Sequence, residues 1–352
     1  MRLSVLGAGA IGPAAAALAT SRGHDVALWS PSGRGTAGIG GDGIAAEGAL
    51  DGRFPLRVAT DLADALHGAD AALLAVPAYA ASALLPRIAE AAPPGLTLLI
   101  APAASLAPLA FEALRAGRGR RAPVGALATT PLTARRIAPD RVRIPAIRAA
   151  VDVAALPAAA GPEVAALATA LFGHACPVAP DVLHPALANA NPIIHAVLAL
   201  VNATRIERAE PWPQYEQMTP AACALMLALQ DERDRVAAGF GLRVLTLAES
   251  LHRASGVPLL PLAEMGPAIA AAGRSVNGPA TMETRYVTED VPFGLSFYLW
   301  LAARQRIAMP RTEATVTLLE ALWQRDLRRN PLLEMIGAGD LPTRLRDGIG
   351  RD

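Results

Sequence analysis

Short apolar runs alternate with helical segments through the first half of the chain. Five of these runs have the length of buried strands and lie at residues 3–6, 26–29, 71–76, 96–100 and 124–128. Helical segments lie between them, as at 13–22 and 82–91. Strands that alternate with helices in this way form a parallel sheet covered on both faces. We therefore predict a doubly wound α/β domain, with a further extended stretch at 143–156.

The pattern changes near residue 180. Residues 175–192, ACPVAPDVLHPALANANP, are rich in Pro and Asn and are typical of a connection. Beyond them the apolar positions follow a helical period, over 193–208, 220–239, 242–254, 295–306 and 313–327. The sequence thus predicts an α/β domain over 1–182 and an all-α C-terminal domain over 183–352.

The charge balance narrows the class of partner. The 352 residues are enough for two domains with substantial cores, and they carry 32 basic and 31 acidic side chains. No block of like charge indicates a nucleic-acid or membrane-surface partner. Every basic residue is arginine, so no lysine can act as a base or form a Schiff base.

Cysteine content and hydropathy indicate a cytoplasmic protein without a bound metal. The two cysteines, Cys176 and Cys223, are too few for a disulfide framework or a zinc site. The longest uncharged stretch, 91–111, contains four prolines that would break a membrane helix. The N-terminus has the pattern of a strand and a glycine turn, and not that of a signal peptide.

That glycine turn is the first motif that carries chemistry. Gly7, Gly9 and Gly12, with Ala10 and Ile11 between them, form G-x-G-x-x-G directly after a strand and before a helix. The first glycine permits the tight turn, the second lets the backbone approach a pyrophosphate, and the third lets helix and strand pack closely. This context predicts a Rossmann-type dinucleotide site, and the alternative is a glycine turn without a ligand.

The end of the second strand bears on the choice of cofactor. An NAD site would place Asp or Glu there for the ribose hydroxyls, whereas this chain has Ser30, Ser32 and Arg34. Hydroxyls and a guanidinium suit a 2′-phosphate, which favours NADP and leaves NAD possible. The alternative is that Arg34 is simply solvated and the ribose is held by other groups.

Other residues follow strands that end at the same edge of the sheet. We expect Val76 and Pro77, after the 71–76 strand, to lie beside the ribose or nicotinamide. Arg135 or Arg136 could reach the same cleft from the segment after the 124–128 strand, or either could be solvated.

In the helical domain, the stretch NPIIH places a histidine near the start of an apolar helix. Asn191 is predicted to be the helix cap, and Pro192 the first helical residue. The positive helix end disfavours an imidazolium, so His195 would need an anion beside it.

The segment ETRYVTEDVPFGL at 283–295 could supply both an anion and a clamp. One of its carboxylates could orient the histidine, and Arg285 could bind a substrate carboxylate. The alternative is a packed core histidine together with a surface loop of mixed charge.

These motifs resemble those of the opine dehydrogenases of the octopine/nopaline dehydrogenase family, over nearly the whole chain. The resemblance rests on GAGAIG, NPIIHAVLALVNATRIE, MTPAACALMLALQDERDRVAAGFG and RYVTEDVPFGL. It implies a reductive condensation of a 2-oxo acid with the amino group of an amino acid. It further implies that His195 is the general acid/base, that Asp290 orients it, that Arg285 grips the oxo-acid carboxylate and that Asn191 positions substrate or nicotinamide.

The chain departs from the family pattern in three places. Ala196 stands where proline commonly follows the histidine, and no acid follows the second strand. The segment 210–220 carries Trp212, Tyr215 and Met218, which suggest an apolar or aromatic amine side chain in the substrate or, alternatively, ordinary loop packing. A homodimer is expected by analogy.

Three other functions compete with this hypothesis. Ketopantoate reductases and 3-hydroxyacid dehydrogenases have a related architecture but rely on a catalytic lysine, which this chain lacks. An imine reductase, or a non-catalytic NADP sensor, would not need the His–Asp pair or Arg285. Hydrogen-bonding distance between His195 and Asp290 is therefore the geometric requirement for the catalytic assignment.

Overall fold

The computed structural model describes residues 1–117 and 122–349, which form two compact units. The first unit comprises Met1–Ala186 and Pro331–Asp352, and the second comprises Leu187–Asn330. This division differs from the predicted domains 1–182 and 183–352, because the C-terminal segment belongs with the first unit. There the Ile349 amide donates to a carboxylate oxygen of the buried Glu112 at 3.1 Å. Residues 118–121 and 350–352 of those predicted domains lie outside the described residues.

All the strands in the described part of the chain lie in the first unit. They are β1 Arg2–Leu6, β2 Asp25–Trp29, β3 Ile44–Gly48, β4 Gly52–Phe54, β5 Arg57–Val58, β6 Ala71–Leu74, β7 Thr97–Ile100, β8 Val124–Leu127, β9 Leu132–Ala138, β10 Arg141–Ile147 and β11 Val153–Leu156.

Seven of these strands form the main sheet, in the order β11-β8-β7-β6-β1-β2-β5. Neighbours are parallel except for β11, which pairs antiparallel with β8. Every residue of β6, β7 and β8 is buried, as expected for strands covered on both faces. The five predicted strands are thus confirmed as β1, β2, β6, β7 and β8.

The register of the main sheet brings three strand ends together. Leu6 at the end of β1 lies opposite Trp29 of β2 and Leu74 of β6. The loops that follow these strands, at 7–10, 30–36 and 75–77, therefore leave the sheet at one carboxyl edge. This is the edge at which ligands bind in open α/β sheets.

The sequence did not predict the second sheet, in the order β4-β3-β10-β9, although the predicted extended stretch overlaps β10. Its strands are short or half-exposed, and their Gly, Ala and Arg residues hide the apolar pattern. Ile44, Val142 and Ile144 from this sheet share one core with α1, Ile11–Ser21. The alanines at 14–17 of α1 are fully buried, because this helix lies between two sheets.

The remaining helices are α2 Leu62–Leu66, α3 Ala78–Ala91, α4 Ala107–Leu114, α5 Gly161–Phe172, α6 Leu183–Ala188, α7 Asn191–Val201, α8 Ala203–Glu207, α9 Pro220–Gly239, α10 Leu247–Ser255, α11 Leu262–Ala271, α12 Arg285–Thr288, α13 Ser296–Gln305, α14 Pro310–Trp323, α15 Pro331–Ile336 and α16 Leu341–Asp347. A membrane-spanning length of apolar helix does not occur in the described ranges.

The second unit is all helical, as predicted, but three predicted helices have different bounds. The helix expected over 313–327 is α14, Pro310–Trp323. The helix expected over 193–208 breaks at Asn202, whose side chain donates to the Leu198 carbonyl at the end of α7. The helix expected from 242 begins at Leu247, because Thr246 and Glu249 form a capping box there.

A π-helical turn, Val291–Leu295, joins α12 to α13 and packs against α7. A Cβ atom at Gly294 would lie 2.3 Å from the Pro192 Cβ, so only glycine permits this approach. The contact fixes the segment around Asp290 against the start of the helix that carries His195.

Gly294→Ala should therefore destabilise the protein by about 1–3 kcal/mol, because the added methyl group overpacks a contact with a rigid ring. Chemical denaturation would measure the change in the free energy of unfolding. Gly95→Ala is the matched control, since a Cβ there meets no atom within 4 Å. Equal stability of the two variants would contradict this packing.

Candidate active site

The structure places His195 near the N-terminal end of α7, in a buried position. The cap position is Ala190, and no side chain caps the helix there. Asn191 is the first helical residue, and its backbone amide donates to the Asn189 side-chain oxygen at 3.1 Å. The prediction of Asn191 as the cap is therefore wrong by one residue, and the Asn191 side chain is exposed.

The imidazole of His195 and the carboxylate of Asp290 form a buried pair. Nδ1 of His195 lies 2.8 Å from Oδ2 of Asp290, and the two side chains are only 8% and 11% exposed. Asp290 stands at the start of the π-helical turn, 95 residues farther along the chain. The predicted distance requirement is met, and this pairing is geometrically able to orient the ring.

Tyr286, which the sequence did not predict as a site residue, lies flat against His195. The ring centroids are 3.7 Å apart and the planes differ by 5°. The Tyr286 hydroxyl donates to the side-chain oxygen of the buried Gln214. The Asp290 carboxylate contacts the imidazole in the plane of the ring, and the Tyr286 phenol packs against the face of the ring. The imidazole is therefore restrained in two directions.

Gln214 belongs to a segment that is itself firmly held. The backbone amide of Gln214 donates to the Val276 carbonyl at 2.8 Å, and the backbone amide of Gly278 donates to the Trp212 carbonyl at 2.9 Å. Trp212 is fully buried and its indole donates to the Pro279 carbonyl. No local sequence signal marks Gln214, because its partner lies 72 residues away.

The second nitrogen of His195, Nε2, is left available. It has no hydrogen-bond partner among residues 1–117 and 122–349. A carboxylate on Nδ1 favours the tautomer with its proton there, which leaves Nε2 as the proton-accepting atom.

Arg285 is the first residue of α12, directly before Tyr286, and its side chain is exposed. Its guanidinium forms no hydrogen bond or ion pair with any residue that the structure describes. Its charge lowers the pKa of Tyr286, although burial dominates and raises that pKa to about 12. An unpaired guanidinium beside the pair can bind a carboxylate in a bidentate manner.

The aromatic segment at 210–220 is mainly core. Trp212 and Met218 are buried, which supports ordinary packing for these two side chains. Tyr215 is half-buried, and its burial raises the pKa of its phenol. Its charged form would raise the pKa of Tyr286, so the two phenols are electrostatic neighbours.

In the first unit, the glycine turn has the geometry that a dinucleotide requires. Gly7 has a φ of +121°, and a Cβ there would lie 2.5 Å from the Val76 side chain. A Cβ at Gly12 would lie 1.7 Å from the Gly7 carbonyl oxygen. A Cβ at Gly9 would meet no atom within 4 Å, so the turn is open on that side. The residues therefore fit a pyrophosphate.

The other predicted cofactor residues lie at the same carboxyl edge. Ser30 is buried, and its hydroxyl accepts the Gly35 amide hydrogen bond at 3.3 Å, which folds the following loop. Ser32 and Arg34 are exposed on that loop, and Pro77 precedes α3 at the end of β6. Ala10 and Ile11 stand at the start of α1.

Arg136 reaches the glycine turn, whereas Arg135 is exposed. The Arg136 Nη1 donates to the carbonyl oxygens of Ala8 at 2.7 Å and Gly9 at 3.3 Å. The sequence had left both arginines open, since either could have been solvated.

Two family models match the chain. One describes the α-helical domain of NAD/NADP octopine/nopaline dehydrogenase and matches residues 178–323. The other describes the N-terminus of NAD-dependent glycerol-3-phosphate dehydrogenase and matches residues 2–102.

Two solved structures are similar to this chain over nearly its whole length. A structure of octopine dehydrogenase with NADH and L-arginine has a TM-score of 0.79 at 17% identity, covering 98% of both chains. A structure of yersinopine dehydrogenase with NADP⁺ bound has a TM-score of 0.74 at 20% identity, covering 98% of this chain and 96% of that chain. Both show the fold.

The sequence comparison shows the family. An opine dehydrogenase of Arthrobacter sp. (strain 1C) is 30% identical over 350 residues, which cover 96% of this chain and 95% of that protein. Together with the helical-domain match and the dinucleotide turn, this identity shows that the chain belongs to the opine dehydrogenase family of NAD(P)-dependent oxidoreductases that act on CH–NH bonds.

Proposed function

We propose that this protein reductively condenses a 2-oxo acid, such as pyruvate, with the amino group of an amino acid. The observation that carries the proposal is the buried His195–Asp290 pair, with Nε2 available and an unpaired Arg285 on the adjoining helix. A proton-handling group and a carboxylate clamp are what such a reaction requires from the protein.

In the proposed reaction, the amine nitrogen attacks the oxo carbon and water leaves, which forms a C=N bond. A hydride then adds to the imine carbon, and the nitrogen gains a proton, which gives a secondary amine with two carboxylates. The bound nicotinamide supplies the hydride. Side chains of the protein would orient the two substrates and transfer the protons.

His195 would move the protons at Nε2. His195 lies near the positive N-terminal end of α7, and this end of the helix disfavours the imidazolium form of its ring. Asp290 offsets this effect, because its carboxylate accepts from Nδ1 and balances the charge in a buried setting. Asp290 thus orients the ring and balances its charge.

Tyr286 would hold the ring plane, so that Nε2 keeps one direction during proton transfer. Because its pKa is raised to about 12, the phenol stays protonated and continues to donate to Gln214 at ordinary pH. Tyr286 and Gln214 are therefore positioning residues in this proposal, and neither exchanges a proton with substrate.

Arg285 would bind the carboxylate of the oxo acid, and the exposed Asn191 would position substrate or nicotinamide. A bidentate pair fixes the plane of the oxo acid as well as its charge. We also propose a preference for NADP, because Ser32 and Arg34 are exposed on a loop that carries no acidic side chain at 30–36. The expected homodimer and cytoplasmic location stay predictions.

The test follows the absorbance of NADPH and NADH with pyruvate, glyoxylate or 2-oxoglutarate, with and without a pool of amino acids. We expect oxidation only when an oxo acid and an amine are both present. His195→Gln should lower kcat by about 10²–10⁴-fold, the usual contribution of general acid/base catalysis. His67→Gln, an exposed histidine in the first unit, should leave the rate unchanged.

Oxidation with an oxo acid alone would instead indicate a 2-oxo acid reductase. An unchanged rate in His195→Gln would remove the acid/base assignment. Binding of NADPH without oxidation of any pair would favour the sensor function.

The half-buried Tyr286 also predicts a loss of stability at high pH. Its pKa is about 12 in the folded protein and about 10 when unfolded, so the unfolded chain releases the proton first. The stability contribution is complete below pH 10 and is lost as pH rises toward 12. The free energy of unfolding should thus fall by up to about 2 kcal/mol more in the wild type than in Tyr286→Phe between pH 9.5 and 11.5.

Denaturant titrations at several pH values would measure this difference. Tyr79→Phe is the control, because Tyr79 is 55% exposed. Parallel pH curves for the wild type and Tyr286→Phe would contradict the burial of this phenol.

A further inference from the structure

Arg136 directs its hydrogen bonds at backbone carbonyls of two separate loops. Nη1 donates to the carbonyls of Ala8 and Gly9, whereas Nε and Nη2 donate to the carbonyls of Ala138, the last residue of β9, and of Pro139 in the turn that follows it. The guanidinium is half-buried, and burial lowers the pKa of Arg136 while Asp140 opposes that change. An arginine remains protonated in such a site, so a full positive charge stands beside the glycine turn.

These contacts determine which way two peptide groups face. In a trans peptide the carbonyl and the N–H point in opposite directions. The Ala8 carbonyl belongs to the same peptide as the Gly9 amide, and the Gly9 carbonyl to the same peptide as the Ala10 amide. With both carbonyls held by Arg136, both N–H groups must point away from it.

The side toward which these amides point is open. Neither N–H donates to another backbone group within the described ranges. Gly9 is exposed, and a Cβ on it would meet nothing within 4 Å. Two unpaired N–H donors that face open space beside the start of α1 are suited to oxygen atoms of a phosphate.

Without an anchor, a glycine turn does not hold this arrangement by itself. Glycine reaches positive and negative φ with similar ease, so the peptides on either side of Gly9 can rotate. A rotated peptide would turn its carbonyl oxygen toward the phosphate, which is repulsive. A side chain that holds the carbonyls therefore favours the binding-competent turn.

We propose that Arg136 is a positioning residue for the dinucleotide, which aims the Gly9 and Ala10 amides at its pyrophosphate by holding the Ala8 and Gly9 carbonyls. The second sheet thus has a role in cofactor binding, because β9 carries this arginine. The turn after β9 also lies against the loop that follows β2, since a Cβ at Gly38 would be 3.0 Å from Pro139.

The chemistry requires arginine at this position. A guanidinium presents several N–H groups in one plane and reaches both loops at once, whereas an ammonium is a single point donor. Arg135 is the matched comparison, because side chains alternate along a strand and Arg135 is exposed on the other face of β9.

The experiment measures cofactor binding by the full chain, with no substrate present. NADPH and NADH are titrated by nucleotide fluorescence or calorimetry into the wild type, Arg136→Gln, Arg136→Lys and Arg135→Gln. We expect Arg136→Gln to weaken the tighter cofactor by about 10–100-fold, equivalent to one or two lost charge-assisted hydrogen bonds. Arg136→Lys should weaken it at least fivefold, and Arg135→Gln should match the wild type within about twofold.

Wild-type affinity in Arg136→Gln would overturn the proposal. Wild-type affinity in Arg136→Lys would also overturn it, because charge alone would then suffice without the two-carbonyl geometry. If Arg136→Gln fails to fold, as judged by circular dichroism, Arg136→Lys decides the question by the same criterion. Because only binding is measured, the result does not depend on the proposed substrates.

Discussion

The hydrogen bond between His195 and Asp290 is the interaction on which the proposed mechanism depends most. A buried ionisable group without a partner is costly, so each side chain makes the burial of the other tolerable. Their 95-residue separation means that α7 and the π-helical turn must be held together by packing, which the Gly294–Pro192 contact provides. Tyr286 and Gln214 then restrict the ring that the carboxylate has oriented.

The same principle operates at the glycine turn in the first unit. There the flexible backbone at Gly9 is restrained by a charged side chain from a strand far along the sequence. In both places a charged side chain from far along the sequence holds a neighbouring group in one orientation through hydrogen bonds, and we propose that each of these neighbours faces a ligand. Rigid placement before binding reduces the entropy that binding must otherwise remove.

The sequence predicts local and periodic features well. The five central strands follow from apolar runs, the glycine turn from its spacing, and α9 from its helical period. No local pattern distinguishes Asp290 from the other carboxylates of its segment. Only the resemblance to a family singled it out. The start of α7 was placed one residue late, because Asn191 followed by Pro192 matches a cap and a first helical residue, whereas the helix begins at Asn191 after Ala190. The second sheet and the Gln214–Tyr286 pair were missed, and the choice between Arg135 and Arg136 was left open, because each contact joins residues that lie far apart in the chain.

The most direct test of the central claim is kcat/KM for reductive condensation in the wild type and in Asp290→Asn, at one pH and at saturating cofactor. An amide keeps the shape of the carboxylate, but it removes the negative charge and can present an N–H to Nδ1, which favours the wrong tautomer of the imidazole. We expect Asp290→Asn to lower kcat/KM by about 10²-fold or more. An unchanged kcat/KM in Asp290→Asn would contradict this account, since Asp290 would then have no influence on the group that transfers the proton.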